Sequence, residues 1–159
     1  MRAFVALGSN LGDPRAQVLR AFGELARLPE TALVARSRLY RSEPWGNAAQ
    51  PEFVNAVAEL DTTLEPRELL DALLAIERAA GRERNEERWG PRVLDLDLLL
   101  HDGRVLDEPG LSLPHPHLHR RAFVLLPLND VASGLDVPGR GCVRALLERV
   151  DTAGCVAMD

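Results

Sequence analysis

Runs of hydrophobic residues with two different spacings predict an alternation of strands and helices along the chain. Short apolar or alternating runs predict strands over 2–7, 31–40, 52–60 and 93–100. Apolar residues at helical spacing predict helices over 14–28 and 66–80, and shorter ones over 122–132 and 142–150. The helix that begins at Pro14 follows Asp13, which is a good capping residue, and Gly81 closes the helix over 66–80.

The predicted order is strand–helix–strand–strand–helix–strand, and it resembles the split βαβ of a ferredoxin-like sandwich. This is an α+β fold with a mainly antiparallel sheet. We expect helices on one face of the sheet and an opposite face that can stay open to a ligand. The residues between the elements are predicted to be loops over 41–51 and 81–92, a hairpin turn over 101–105, and a turn "GSNLG" over 8–12 that is only weakly typical of a phosphate loop. No linker or repeat divides the chain, so one domain over 1–159 is predicted.

The amino-acid composition excludes several classes of protein. A chain of 159 residues with 46% hydrophobic residues and a net charge of −5 is typical of a globular protein and argues against nonspecific nucleic-acid binding. The apolar runs are too short for a membrane helix, and the N-terminus turns polar too early for a secretory signal. Cys142 and Cys155 form no disulfide framework. These observations together predict a cytoplasmic protein.

All 19 basic residues are arginine, and the chain contains no lysine. This excludes a P-loop, which needs a lysine for the terminal phosphates, and it excludes Schiff-base chemistry. Codon bias in a GC-rich genome would explain the pattern without any reference to function. In either case arginine is the cation available for phosphate, and its planar fork suits that ligand.

Two aspartates interrupt the leucine run of the last predicted strand, "VLDLDLLL" (93–100). Alternate residues of a strand point to the same side, so Asp95 and Asp97 share one face while Leu94, Leu96 and Leu98 face the core. Two ionised carboxylates about 4 Å apart repel by roughly 4 kcal/mol at a partly exposed site. Arginines, a shared proton or a divalent cation would each relieve the repulsion, and an exposed pair can also simply be solvated.

The stretch before this strand adds phosphate-binding candidates. It contains one tryptophan and four arginines, namely Trp89, Arg82, Arg84, Arg88 and Arg92, with glutamates that nearly neutralise them. A charged run of this kind is often only a solvated loop, but such a loop has no need of Trp-Gly-Pro between its arginines. Carboxylates that hold Mg²⁺ beside arginines that hold phosphate are typical of phosphoryl-transfer sites. We therefore favour metal and phosphate binding here.

Aromatic and amide side chains suggest a second substrate. Phe53 and Asn55 lie two residues apart on a predicted strand, so the ring and the amide share a face. An amide can read the edge of a heterocycle while aromatic rings stack on its plane, with Phe123 as the opposing ring. The alternative is that Phe53 is an ordinary core residue.

Three histidines at 115, 117 and 119 alternate in a way that suggests zinc. Pro114 and Pro116 interrupt any regular strand there, and no cysteine or fourth ligand lies near, so we disfavour a zinc site. His115 and Arg121 fit phosphate contacts better.

Several segments together resemble one family: "ALGSNLGD", "YRSEPWG", "QPEFVNAV", "ERWGPRVLDLDLLL" and "LPHPHLHRRAFVLLPL". They are similar, in register over about residues 4–128, to the 6-hydroxymethyl-7,8-dihydropterin pyrophosphokinases of folate biosynthesis. The resemblance implies transfer of the β,γ-pyrophosphoryl group of ATP to the hydroxymethyl oxygen of the pterin, with release of AMP. It also implies two Mg²⁺ ions that enter with ATP and bind Asp95 and Asp97. Arg82 and Arg92 would assist the chemical step from a mobile loop.

The resemblance further implies two sets of binding residues. The ATP-binding set is Glu77, Arg84, Arg88, Trp89, Arg92, Leu98, Ser112, His115 and Arg121. The pterin-binding set is Ser42, Glu43, Trp45, Phe53, Asn55 and Phe123. Leu74, Gly110 and Pro116 depart from the polar or basic residues of the family at nucleotide contacts, and Glu43 and Trp45 depart from the smaller apolar residues of its pterin-side loop. The expected partners are the two small-molecule substrates, with no nucleic acid or membrane, and a monomer is expected.

Two other function classes fit the residues. A metal-dependent nucleoside triphosphate hydrolase would use the same aspartates. A ferredoxin-like regulatory module would bind a small ligand without chemistry.

Overall fold

The computed structural model describes residues 1–42, 52–81 and 93–158. The first two thirds contain β1 (Arg2–Ser9), α1 (Pro14–Ala26), β2 (Thr31–Arg36), β3 (Tyr40–Ser42), β4 (Phe53–Thr62), α2 (Pro66–Gly81) and β5 (Asp95–His101). The remainder contains β6 (Leu106–Glu108), β7 (Leu111–Leu113), a 3₁₀ turn (Leu118–Arg120), α3 (Ala122–Ala132), β8 (Asp136–Val137), β9 (Gly141–Cys142), α4 (Val143–Leu147) and β10 (Cys155–Ala157).

The main sheet runs in the order β10-β3-β4-β1-β5, with β2 also paired to β4. Every strand pair in the described part of this sheet is antiparallel. The order β5-β1-β4-β2, with α1 and α2 as the two connecting helices, is the ferredoxin-like arrangement. The predicted α+β fold is therefore confirmed.

Helices cover both faces of the sheet, which corrects the prediction that they pack on one face. The first hydrophobic core joins the sheet to α1 and α2 through Phe22, Leu25, Leu69 and Leu73. A second core joins the opposite face to α3 and α4, with Leu125 among its fully buried residues. The hydrophobic α3 predicts burial but does not indicate which face it covers, because that depends on contacts with distant strands. The second face stays open only beyond the reach of α3.

A register shift in β5 explains how one strand serves both cores. Leu98 pairs with Val5 and Leu100 with Phe4, so one extra residue lies in β5 at this point. A bulge of this kind puts two consecutive residues on nearly the same side. Leu99 and Leu100 accordingly both pack in the second core. The part of β5 that packs against α3 therefore begins at the bulge. The part that carries the two aspartates does not pack against α3.

Local side-chain hydrogen bonds explain why the strand predicted over 31–40 is two strands. The Ser37 hydroxyl accepts from the Val57 N–H at 2.9 Å and donates to the Arg38 carbonyl at 2.7 Å. A serine that bonds to the backbone in this way competes with regular strand pairing. The predicted strand is therefore wrong over 37–39, and the predicted loop is wrong at 41–42, which belong to β3.

Other predicted boundaries also change. Gly8 and Ser9 belong to β1 rather than to a turn. The turn over 101–105 does not close a hairpin with β5, because β6 pairs with β7 instead. The Asp13 cap is confirmed, since its carboxylate accepts from the Ala16 N–H at 3.2 Å. The last predicted helix is shorter than expected, and β8, β9 and β10 were not predicted.

In the part of the chain that the structure describes, none of the helices has the length and hydrophobicity needed to span a bilayer.

A three-residue polar cluster attaches α3 to the sheet. The Tyr40 hydroxyl lies 2.9 and 3.0 Å from the two Asp130 carboxylate oxygens, and the Arg38 Nη2 donates to that hydroxyl at 2.8 Å. The Arg38 guanidinium also donates to Asp130, at 3.1 and 3.2 Å. Burial, with the hydrogen bond to Asp130, raises the pKa of Tyr40 to about 12. The cluster fixes the C-terminal half of α3, whose first turn carries Phe123.

Tyr40→Phe is expected to lower the free energy of unfolding by about 1–2 kcal/mol at pH 8, because it removes a hydroxyl bonded to charged groups. The folded-state pKa lies above the ordinary value of about 10. The contribution of neutral Tyr40 is therefore complete below about pH 10 and is lost as pH rises through the folded-state pKa of about 12. Urea unfolding of both proteins at pH 8 and pH 11 measures this.

Tyrosinate absorbance reports the same group directly, because Tyr40 is the only tyrosine in the chain. Titration of the folded protein with a midpoint near pH 10 would contradict the cluster, as would an equal stability loss for both proteins between pH 8 and pH 11.

Candidate active site

The open part of the second sheet face, together with the N-terminal end of α3, lines a cavity of about 910 Å³. Its described lining residues come from β1, β3, β4 and β5, from 117–124 and from the C-terminal segment. They include Gly8, Ser42, Phe53, Asn55, Asp95, Asp97, His117, Arg120, Arg121 and Phe123. Acidic, basic and aromatic side chains that lie far apart in the sequence thus meet in one space.

Asp95 and Asp97 form the acidic part of the cavity on edge strand β5. Asp95 pairs with Gly8 and Asp97 with Ala6 on β1. Asp97 is exposed and Asp95 half-buried, whereas Leu94, Leu96 and Leu98 are buried in the first core. The predicted division of this strand into an acidic face and a leucine face is confirmed, and it leaves both carboxylates accessible from the cavity.

Gly8 separates the acidic part from the amide. It pairs with Asp95 on one side and with Asn55 on the other. A Cβ at this position would lie 2.8 Å from the Asn55 Oδ1. Glycine therefore lets the amide lie over β1, and the two strand spacings put Asn55 about 10 Å from Asp95. The sequence predicts a turn at Gly8, and the strand found there corrects this; a glycine inside an apolar strand run is itself a sign of close approach.

The polar and aromatic pair on β4 continues onto β3. The Asn55 Nδ2 donates to the Ser42 Oγ at 3.3 Å, and Ser42 pairs directly with Phe53. Phe53 is only partly buried and lines the cavity, so the alternative that it is an ordinary core residue is wrong. Phe123 reaches the same cavity from the first turn of α3. Two rings, an amide and a hydroxyl are therefore brought together.

Basic side chains stand beside Phe123. The Arg121 guanidinium carbon lies 5.5 Å from the centre of the Phe123 ring, which is a cation–π distance. The Arg120 Nη2 donates to the His117 Nδ1 at 2.6 Å, and because arginine can only donate, the neutral His117 ring carries its proton on Nε2. His117 and Arg120 were not among the predicted site residues.

His115 and Ser112 line an adjoining pocket of about 410 Å³ instead. The His115 backbone N–H donates to the Leu99 carbonyl at 2.9 Å, and its Nδ1 accepts from the His117 N–H at 3.2 Å. Burial lowers the pKa of His115, the Asp97 carboxylate acts in the opposite direction, and Arg121 and His117 lower it further. His115 therefore lies within electrostatic reach of Asp97, which lines the larger cavity.

Two predicted nucleotide residues have packing roles here. The Glu77 Oε2 accepts from the Leu96 N–H at 2.6 Å and so ties α2 to the edge of β5. The Leu98 side chain is buried in the first core, so only its backbone is available to a ligand. Of the departures from the family pattern, Pro116 lines the smaller pocket, Gly110 lies in the β6–β7 turn, and Leu74 is exposed on α2.

Seven predicted site residues lie outside the described residues: Glu43, Trp45, Arg82, Arg84, Arg88, Trp89 and Arg92. Among the lining residues that sequence reasoning missed, those from the C-terminal segment are Asp151, Ala153, Gly154 and Cys155. No local sequence signal identifies them, because they reach the cavity only through the pairing of β10 with β3.

Comparison with known proteins points to one family. Residues 4–133 match the family model described as 7,8-dihydro-6-hydroxymethylpterin-pyrophosphokinase (HPPK). A Pseudomonas aeruginosa protein named 2-amino-4-hydroxy-6-hydroxymethyldihydropteridine pyrophosphokinase is 58% identical over 137 residues, which cover 86% of this chain and 84% of that protein. A Methylorubrum extorquens protein of the same name is 45% identical over 153 residues, which cover 96% of each chain.

Solved structures agree at the level of the fold. Wild-type Plasmodium falciparum HPPK-DHPS superposes with a TM-score of 0.68 at 14% identity, over 93% of this chain and 40% of that chain. The present chain thus spans less than half of that longer protein. The family match covers most of the present chain, and the two relatives align over 84% and 96% of their lengths. The chain belongs to the 7,8-dihydro-6-hydroxymethylpterin-pyrophosphokinase family.

Proposed function

We propose that this chain transfers the pyrophosphoryl group of ATP to the hydroxymethyl oxygen of 6-hydroxymethyl-7,8-dihydropterin and releases AMP. Membership of the family supports pyrophosphoryl transfer to hydroxymethyldihydropterin in folate biosynthesis. The observation that carries the finer proposal is the single cavity that holds both the acidic pair and the ring-and-amide group. A transferase needs both substrates in one space, whereas a simple hydrolase does not.

Asp95 and Asp97 are the proposed Mg²⁺ ligands, with two ions entering together with ATP. The described residues contain no group of three or more acidic, histidine or cysteine side chains that would hold a metal. Two carboxylates are enough for Mg²⁺, because that ion usually binds one or two carboxylates together with substrate phosphates and water. When bound, the ions would neutralise the phosphate oxygens and orient the displacement. They would also cancel the repulsion between the two aspartates.

Three of the proposed nucleotide contacts that the structure describes lie in two pockets. Arg121 lines the same cavity, and His115 and Ser112 line the adjoining one. Because burial lowers the pKa of His115 and its Nδ1 is an acceptor, the neutral ring would donate from Nε2 to a phosphate oxygen. Arg82, Arg84, Arg88, Trp89 and Arg92 complete the proposed set by family resemblance. Their guanidinium groups would bind phosphate oxygens in a chain without lysine.

The pterin is proposed to lie between Phe53 and Phe123. Its ring would stack on both side chains while Asn55 and Ser42 bond its polar edge. Gly8 leaves the floor of the cavity open between this edge and the aspartates. The hydroxymethyl group would then point along the sheet toward β5, where the triphosphate binds. The protein would act mainly by orienting the two substrates and excluding water.

Gly8→Ala tests this arrangement. The added methyl group would force the Asn55 amide out of position. Overpacking costs of about 1–3 kcal/mol are usual, so we expect the KM for the pterin to rise by about 10-fold or more, with a smaller change in the KM for ATP. Steady-state kinetics with each substrate varied in turn measure both values.

Gly23→Ala in α1 is the matched control, since nothing lies within 4 Å of its built Cβ. It should leave both KM values unchanged and raise stability by up to about 1 kcal/mol, because alanine favours helix. An unaltered pterin KM in Gly8→Ala would contradict the assigned role of Asn55.

Conversion of ATP to AMP, with and without hydroxymethyldihydropterin, tests the function. The proposal requires AMP and a pyrophosphorylated pterin in equal amounts, formed only when the pterin and Mg²⁺ are present. Nucleotide cleavage without the pterin would identify a hydrolase. Binding of either ligand with ATP left intact would identify a regulatory module.

Light scattering during size exclusion would test the expected monomer.

A further inference from the structure

We infer that the C-terminal segment 151–155 forms the outer wall of the pterin site and limits which pterins enter it. This segment is called the C-terminal wall below. The inference rests on the proposed function and names a specificity-determining element for it. The wall lies beyond residue 133, where the match to the family model ends. Its role is therefore separate from the motifs that identify the family.

Strand register places the wall beside the proposed pterin residues. Cys155 pairs with Ser42, and Ser42 pairs with Phe53. Residues directly opposite each other in antiparallel strands have side chains on the same face. The Cys155 side chain therefore points to the same side as Ser42 and Phe53. It lines the cavity with Asp151, Ala153 and Gly154.

The wall is held in place by its own hydrogen bonds. The Cys155 N–H donates to the Thr152 carbonyl at 3.1 Å, and the Ala153 N–H donates to the Asp151 carboxylate at 2.9 Å. Gly154 completes this turn with a φ of +85°, a conformation that favours glycine. The Met158 N–H then donates to the Leu39 carbonyl at 2.7 Å. A turn fixed at both ends can act as a boundary of defined position.

The position of the wall determines which part of the pterin it meets. Strands β10, β3, β4, β1 and β5 are consecutive, so Cys155 and Asp95 lie four strand spacings apart, about 20 Å. The hydroxymethyl group is proposed to point toward Asp95. The opposite edge of the ring, with its amino and ring N–H donors, would then face Ser42, Cys155 and the carboxylate of Asp151. Groups added to that edge of the ring would collide with the wall.

Cys155→Phe tests the wall by adding bulk on the cavity side. Overpacking of this kind is expected to raise the KM for hydroxymethyldihydropterin by about 10-fold or more, while the KM for ATP changes by less than about twofold. Val156→Phe is the matched control, because Val156 is the next residue on the opposite face and is 50% exposed. It should leave both KM values unchanged. Equal pterin KM values for the two variants would overturn the inference.

Alkylation of the wild-type protein is a second test of the C-terminal wall, and it does not require that a variant folds. Cys142 and Cys155 are both partly exposed free thiols, and Cys142 lies outside the cavity lining. Iodoacetamide labelling followed by mass spectrometry should show that hydroxymethyldihydropterin slows modification of Cys155 and leaves Cys142 unaffected. Unchanged labelling of Cys155 at saturating pterin would contradict the wall.

The two proposals fail in different ways. If the wild-type chain forms AMP with the pterin but Cys155 is neither protected nor sensitive to bulk, the wall is wrong and the function stands. If the wild type forms no AMP while pterin still protects Cys155, the proposed chemistry is wrong and the wall stands.

Discussion

Replacing Asp97 by asparagine is expected to lower kcat by about 1000-fold, since metal-assisted charge stabilisation is worth several kcal/mol and each 1.36 kcal/mol is tenfold in rate. Asparagine keeps the shape of the side chain but removes its negative charge. Asp97 is exposed on the cavity face of β5, whereas its leucine neighbours form the core. The free energy of unfolding should therefore change by no more than about 0.5 kcal/mol.

Initial rates of AMP formation across a range of Mg²⁺ concentrations, with thermal unfolding of the same samples, measure this effect. Asp71→Asn is the matched control, because Asp71 is exposed on α2, which packs on the other face of the sheet. The control should retain wild-type turnover. Full activity of Asp97→Asn would contradict the metal assignment, and a large loss of stability would indicate a structural role instead.

Arg92→Ala and Arg82→Ala are expected to lower kcat by about 1000-fold each, because arginines placed on a transferring phosphoryl group contribute on that scale. Both residues lie outside the described residues, and their roles come from the family resemblance. Contacts made mainly in the transition state lower kcat more than they raise the KM for ATP. No lysine exists elsewhere in the chain to replace the lost charge.

Single-turnover measurements of both variants, together with nucleotide binding at equilibrium, separate chemistry from affinity. Arg92→Lys should recover only part of the rate, since lysine keeps the charge but not the planar fork. Arg20→Ala, on the exposed side of α1, is the charge-matched control and should behave as wild type. A rise in the KM for ATP at unchanged kcat would limit both arginines to binding.

Much of the architecture follows from local patterns. The strand and helix periods predicted the order of the elements and therefore the ferredoxin-like fold, and Asp13 with Pro14 predicted the start of α1. A period of two was enough to put Asp95 and Asp97 on one face of β5, away from the leucines. These features depend on residues close together in the chain, whose steric preferences act before any tertiary contact forms. Motif order likewise predicted the family.

The sequence by itself therefore determined the elements, the acidic face of β5 and the family, because each depends on neighbours along the chain. Only the tertiary structure decided that Gly8 separates Asn55 from Asp95, that α3 packs on part of the second face, and that residues 151–155 line the same cavity as Phe53. Those features depend on strand pairing and helix docking between distant segments, and hydrophobic periodicity carries no information about which partner a strand or helix meets.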